Sequence, residues 1–171
     1  NRLLVLLALA VSLLPAAPAW SETLLLKPDR VFTAEDRLAH PGWQVLVDGD
    51  RIAAVGPNLK PPRGARVVEL KGATLLPGLI EAHGHLFLHP YNETLWDDQV
   101  LKEPLAYRTA AAVRHASDTL AAGFTTERDL GTEGAGSADV GLKRAIEDGI
   151  VPGPRMLTAT RAIVARGGYG P

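Results

Sequence analysis

His83 and His85 are the residues of this chain whose type and spacing best suit chemistry. They close the stretch Leu75-Leu76-Pro77-Gly78-Leu79-Ile80-Glu81-Ala82-His83-Gly84-His85. Residues two apart on a strand point to the same side. Imidazole is a common ligand for divalent ions, so two of them at a strand end could hold one metal. A bare His-x-His also has a plain reading, as two polar residues where a strand runs out into a loop. The flanking elements separate the two readings.

Pro77-Gly78 punctuates, and Leu79-Ile80 with Ala82 form a short apolar run that reads as a buried strand. Upstream, residues 23–76 read as β, with strands at 23–26, 30–33, 43–47, 51–55, 66–70 and 73–76. Asp48-Gly49-Asp50 supplies hairpin chemistry, and Pro61-Pro62 with Gly64 marks a loop. This region predicts a small sandwich or open barrel with no catalytic group. Downstream of His85, residues 86–98 lack a period and read as a long loop. Loops placed by a scaffold often carry function. Its His89, Tyr91 and Asn92 are candidates to touch a substrate, with an ordinary packed loop as the alternative. Trp96 is assigned to packing.

A helix is predicted from Pro104, at its first position, through Ala122. Leu105, Ala112, Val113, Ala116 and Leu120 form its apolar stripe, and Gly123 stops it. His115 on this helix is expected to face solvent and is given no role. Residues 124–129 read as a strand with Asp129 at its C-terminal end. The glycine-bearing loop that follows lacks the lysine and hydroxyl of a phosphate cradle. A second helix is expected over 138–148, a third strand over 155–160 and a loop over 161–171. Strand, helix, strand, helix, strand implies parallel pairing. Both a (β/α)8 barrel and a doubly wound sheet put chemistry at the C-terminal strand ends, where His83, His85 and Asp129 fall.

Composition narrows the field. The 171 residues carry a net charge of -1, which offers no electrostatic case for nucleic acid or an anionic membrane surface. With 46% hydrophobic residues the chain can build a core. It has no cysteine, so disulfides, thiolate metal sites and a cysteine nucleophile are excluded. Metal ligands must be His or carboxylate. Residues 3–14 are apolar apart from Ser12, Arg2 precedes them, and Ala17-Pro18-Ala19 offers a small-residue cleavage site. Residues 1–19 are therefore expected to be a secretory signal peptide, too short to span a bilayer, with a buried helix as the alternative. The protein is expected to be exported, periplasmic or extracellular, with no stable membrane anchor.

Leu-Leu-Pro-Gly-Leu-Ile-Glu-Ala-His-Gly-His after a β region, followed by Ala-Gly-Phe-Thr-Thr-Glu-Arg-Asp-Leu-Gly, resembles the amidohydrolase superfamily. The closest likeness is to its imidazolonepropionase-like and Xaa-Pro dipeptidase-like branch, from about Thr23 onward. The resemblance implies an α/β fold. A small β-sandwich domain, begun by residues 20–76, would precede a (β/α)8 TIM barrel begun by residues 77–171, with two to three β/α units present. It implies that His83 and His85 are metal ligands for one or two divalent ions, usually zinc, which activate a water. Glu81 stands where many relatives have Asp. Together with Asp129 it is a candidate to support the ligands from behind. Gly167-Gly168-Tyr169 stands where many relatives have Gly-Gly-His.

The family takes a bridging lysine, two more histidines and a catalytic aspartate from later strands, so the catalytic group is expected beyond residue 171. A barrel needs about 250 residues, and catalytic zinc takes three protein ligands. The chain is therefore read as an N-terminal fragment, inactive alone, whose third strand leaves an unpaired edge. The expected activity of the whole protein is metal-dependent hydrolysis of a C–N bond, amide or peptide, in a small molecule or dipeptide. The alternatives are a deaminase on the same scaffold and a non-catalytic binding or scaffold protein. A homo-oligomer is compatible with the sequence.

Overall fold

The computed structural model describes residues 22–165. The expected signal peptide and Gly167-Gly168-Tyr169 lie outside the described residues. The chain divides into two compact units, Asn1–Pro77 and Gly78–Pro171.

The first unit is a five-stranded mixed sheet. It contains β1 (Thr23–Phe32), β2 (Ala39–Pro41), β3 (Trp43–Asp48), β4 (Arg51–Pro57) and β5 (Arg66–Leu75). The order is β2-β1-β3-β4, and β5 pairs with β1 in parallel. Two pairs of strands expected from sequence are single long strands. Residues 23–26 and 30–33 merge into β1, and 66–70 and 73–76 into β5. Pro28 interrupts the pattern without ending β1, because the β1–β5 register absorbs it as an irregularity between Pro28 and Arg30. The Asp48-Gly49-Asp50 turn joins β3 to β4, with Asp48 opposite Arg51 and Gly49 at φ +60°. Leu25, Val31 and Val45 are buried here.

The second unit is a three-stranded parallel sheet in the order β6-β7-β8. Its strands are β6 (Leu79–Gly84), β7 (Phe124–Asp129) and β8 (Arg155–Thr158). Between β6 and β7 lie a loop, the short helix α1 (Trp96–Lys102) and the helix α2 (Leu105–Ala121); α3 (Ala138–Glu147) links β7 to β8. Pro104 is the N-cap of α2 rather than its first helical residue, and Gly123 at φ +96° ends it as the apolar stripe predicted. The core gathers Leu86, Phe87, Ala112, Ala116, Ala135, Leu142 and Met156, with Val113 and Ile146 packed on it.

β6 is not the buried strand its apolar run predicts. Ile80 is 69% exposed, and Leu79 and Ala82 are exposed as well. Among the described residues β6 has one strand neighbour, β7. A short apolar run records that a strand is fit for burial, and whether a layer covers it depends on the rest of the fold. The exposed Leu157 of β8 lies across from Arg128 of β7, which is exposed too.

Candidate metal centre at the end of the first parallel strand

His83 is exposed near the end of β6, and His85 is half-buried one residue beyond it. Their ring centroids are 5.5 Å apart with the planes at 63°. The Glu81 carboxylate accepts the backbone N–H of His83 at 2.9 Å. His85 is held by its ring. Its Nδ1 lies 2.9 Å from the carbonyl oxygen of Gly131. A carbonyl only accepts, so Nδ1 carries a proton, and in the neutral ring Nε2 holds the free lone pair. A ligating histidine is normally held in this way.

Asp129, at the end of β7, is fully buried. Its carboxylate accepts the backbone N–H of Leu86 at 3.3 Å and of Gly131 at 3.0 Å. It therefore ties the segment after His85 to the segment that presents the Gly131 carbonyl. Burial pushes its pKa up to about 6; the Gly131 and Leu86 N–H groups pull it down, Asp139 raises it and His85 lowers it.

Glu127 is a feature to which sequence reasoning gave no role. It is 2% exposed, and its Oε2 has no hydrogen-bond partner among the described residues. Burial first, then the charges of Asp129 and Glu81, raise its pKa to about 7. Its Oε1 occupies the space beside Gly84, where a Cβ would come within 2.2 Å. A side chain at the position between the two histidines would therefore have to displace the Glu127 carboxylate. The signal was legible as Glu127 and Asp129 two apart on one strand, hence on one side.

His89 is half-buried and its Nε2 contacts the Glu103 carboxylate at 3.1 Å. Its backbone N–H donates to Gln99 Oε1 at 2.6 Å, and the fully buried Gln99 donates back to the carbonyls of His89 and Thr94. The loop is therefore built around Gln99. Tyr91 and Asn92 are exposed on a turn. His115 differs from its expected place. It is half-buried, donates from Nδ1 to the Leu86 carbonyl at 2.8 Å, and meets the His89 ring edge-on at 5.7 Å. Helical spacing puts it beside the buried Ala112 and Ala116, and the loop after β6 folds over that flank. His85, Leu88, His89, Tyr91, His115 and Glu127 line a cleft of about 680 Å³. Trp96 donates to the Glu133 carboxylate, joining α1 to the loop after β7.

The fit to a metal is that of a pair of ligands. Two neighbouring imidazoles, one with its Nδ1 committed to a carbonyl, suit a divalent ion. Among the described residues no set of three His, Cys, Asp or Glu groups converges to complete a site.

The model of the amidohydrolase family matches residues 74–165, more than half of the chain. Over 42 residues the chain is 55% identical to the adenine deaminase of Deinococcus radiodurans; the stretch is 25% of this chain and 8% of that one. It is 45% identical over 42 residues to the imidazolonepropionase of Salinispora arenicola, covering 25% of this chain and 11% of that one. The fold superposes on a prolidase in complex with N-methylphosphonate-L-proline at 27% identity and a TM-score of 0.70, covering 85% of this chain and 34% of that one. The chain spans about a third of that solved structure. The stretches matched to the two curated relatives are about a tenth of their lengths.

Proposed function

The chain belongs to the amidohydrolase family, and from that premise we propose that the protein carrying it is a metal-dependent hydrolase of C–N bonds in small molecules or dipeptides. The resemblance read from the Pro-Gly and His-x-His motif is borne out by the family match, and the α/β content agrees with it. The observation that carries the activity is the paired His83 and His85 at a parallel strand's C-terminal end, with His85 Nδ1 bound to Gly131.

His83 and His85 would hold the divalent ion, zinc or a similar metal, one or two per chain. Such an ion supplies a water of lowered pKa and polarises the scissile carbonyl. The chain's own part is positioning. Gly131 keeps the proton on Nδ1 of His85, and Glu81 fixes the backbone of His83. Asp129 locks the two loop segments together. The cleft between the loop and α2, which His89 and Tyr91 help to line, is the place for specificity contacts, with Asn92 next to Tyr91 on the same turn.

The remaining ligands and the catalytic acid or base belong to later strands of a (β/α)8 barrel. The first unit is part of a sandwich domain, and residues 1–19 direct export to the periplasm or the outside. The 171 residues alone are inactive in this reading. Among the described residues no helix is long and apolar enough to cross a membrane.

Metal analysis of the full natural polypeptide, purified without chelator, tests the reading. One or two divalent ions per chain, lost in a His83→Ala, His85→Ala variant, support it. A folded protein without metal moves the weight to a binding or scaffold role. A deaminase is the second reading, favoured by the 42-residue match to an adenine deaminase. Ammonia release from aminated heterocycles would single it out.

A further inference from the structure

Among the described residues of the second unit, Arg108 is a buried cation with most of its donors engaged. It sits on α2 and is 3% exposed. Its Nε and Nη2 donate to the Phe87 carbonyl at 3.1 and 3.0 Å, Nη2 donates to Thr132 at 2.7 Å, and Nη1 to Glu133 at 2.8 Å. Four of its five N–H donors are thus spent on three backbone carbonyls. Burial lowers its pKa, and the Glu103 and Glu133 charges oppose that.

These carbonyls are not scattered. Phe87 follows His85 by two residues. Thr132 follows Gly131, whose carbonyl takes the His85 Nδ1 proton. Asp129 takes N–H groups from the same two segments, at Leu86 and Gly131. One acid collects amides and one base collects carbonyls of the same two segments, the one that follows His85 and the one that follows β7.

We propose that Arg108 is a positioning residue for the metal centre: by clamping Phe87 and Thr132 it holds the Gly131 carbonyl against His85 Nδ1, fixing that ring's tautomer and aim. The inference rests on His85 as a ligand only for its consequence on metal affinity; the tautomer is a property of the metal-free protein. A ring freed from its acceptor shares its proton between the two nitrogens and binds an ion less well.

The experiment uses the full natural polypeptide with Arg108→Met, Arg108→Lys and, as a control of equal burial, Leu142→Ala. All are studied below their melting temperatures. Imidazole ¹⁵N spectra of the chelated protein should show one Nδ1–H tautomer for His85 in the parent and in Leu142→Ala, and a mixture in Arg108→Met. Zinc titration should give about 10–100-fold weaker binding in Arg108→Met, a partial recovery in Arg108→Lys, and no change in Leu142→Ala. An unchanged His85 tautomer in folded Arg108→Met overturns the proposal. So does a shift of the same size in Leu142→Ala, which would make the effect one of general stability. A tautomer that depends on Arg108 in a protein that takes up no metal upholds the clamp and removes the hydrolase reading instead.

Discussion

The Nδ1 of His85 and the carbonyl of Gly131, 2.9 Å apart, join the end of one parallel strand to the loop after the next. That bond decides which nitrogen of His85 is free. Replacing either histidine should therefore have unequal effects. His83, exposed and held through its backbone, should lose metal on substitution without loss of stability. His85→Ala should lose metal and also about 1 kcal/mol of stability with the bond. Zinc content and urea melts of the two single variants check this.

Glu127 makes stability depend on pH in a defined direction. Its pKa is about 7 folded against 4.5 for the free group, so between those values the folded state binds more protons than the unfolded one. The contribution is fully present below about 4.5 and is lost as pH rises through 7. Its full size is on the order of 3 kcal/mol. Glu127→Gln should stabilise the chelated protein at pH 8 and flatten its profile from pH 5 to 8. Asp129, raised to about 6 from 3.8, has the same sign and should leave a slope below pH 6. Denaturant midpoints across pH test this, and an unchanged slope in Glu127→Gln would show that the burial cost is met elsewhere.

Much of the second unit was legible in the chain. The apolar stripe Leu105, Ala112, Val113, Ala116 and Leu120, ended by Gly123, states a helix and its stop locally. Residues 124–129 state a strand in the same way. Arg108 carries no sequence signal of a site, and Glu127 carries only its spacing of two from Asp129 on one strand. Their neighbours at the site lie 21 to 43 residues away in sequence and are backbone groups, as at Phe87 and Gly84, which no residue pattern announces. The burial of His115 is hidden for the same reason: helix spacing reports a face, and the loop that covers the face arrives from elsewhere. The exposure of Ile80 is the converse, an apolar residue whose cover is not local.

Gly84 and Glu127 should behave as a coupled pair. A methyl at Gly84 would press on Glu127 Oε1, so Gly84→Ala should cost about 1–3 kcal/mol through overpacking. In a Glu127→Ala background the same change should cost much less. A double-mutant cycle by denaturant unfolding should return a coupling of about 1 kcal/mol or more. Additive costs would mean that Glu127 turns aside freely and that the glycine is not there for its sake.

The exposed sheet face yields the last prediction. Ile80 and Leu157 are 69% and 54% exposed on strands whose outer edges have no partner among the described residues. Unpaired edges and bare apolar faces template association. Residues 22–171 made alone should bind a hydrophobic dye and associate with rising concentration. Ile80→Thr with Leu157→Thr should reduce both, because the hydroxyl removes the apolar reward and leaves the strand propensity in place. Sedimentation at several concentrations measures the outcome. If the parent stays monomeric and dark to the dye, that face is shielded in solution by something other than a second copy. If the full natural polypeptide is monomeric while the 22–171 piece associates, the cover comes from the remainder of its own chain, the outcome expected of the proposed barrel.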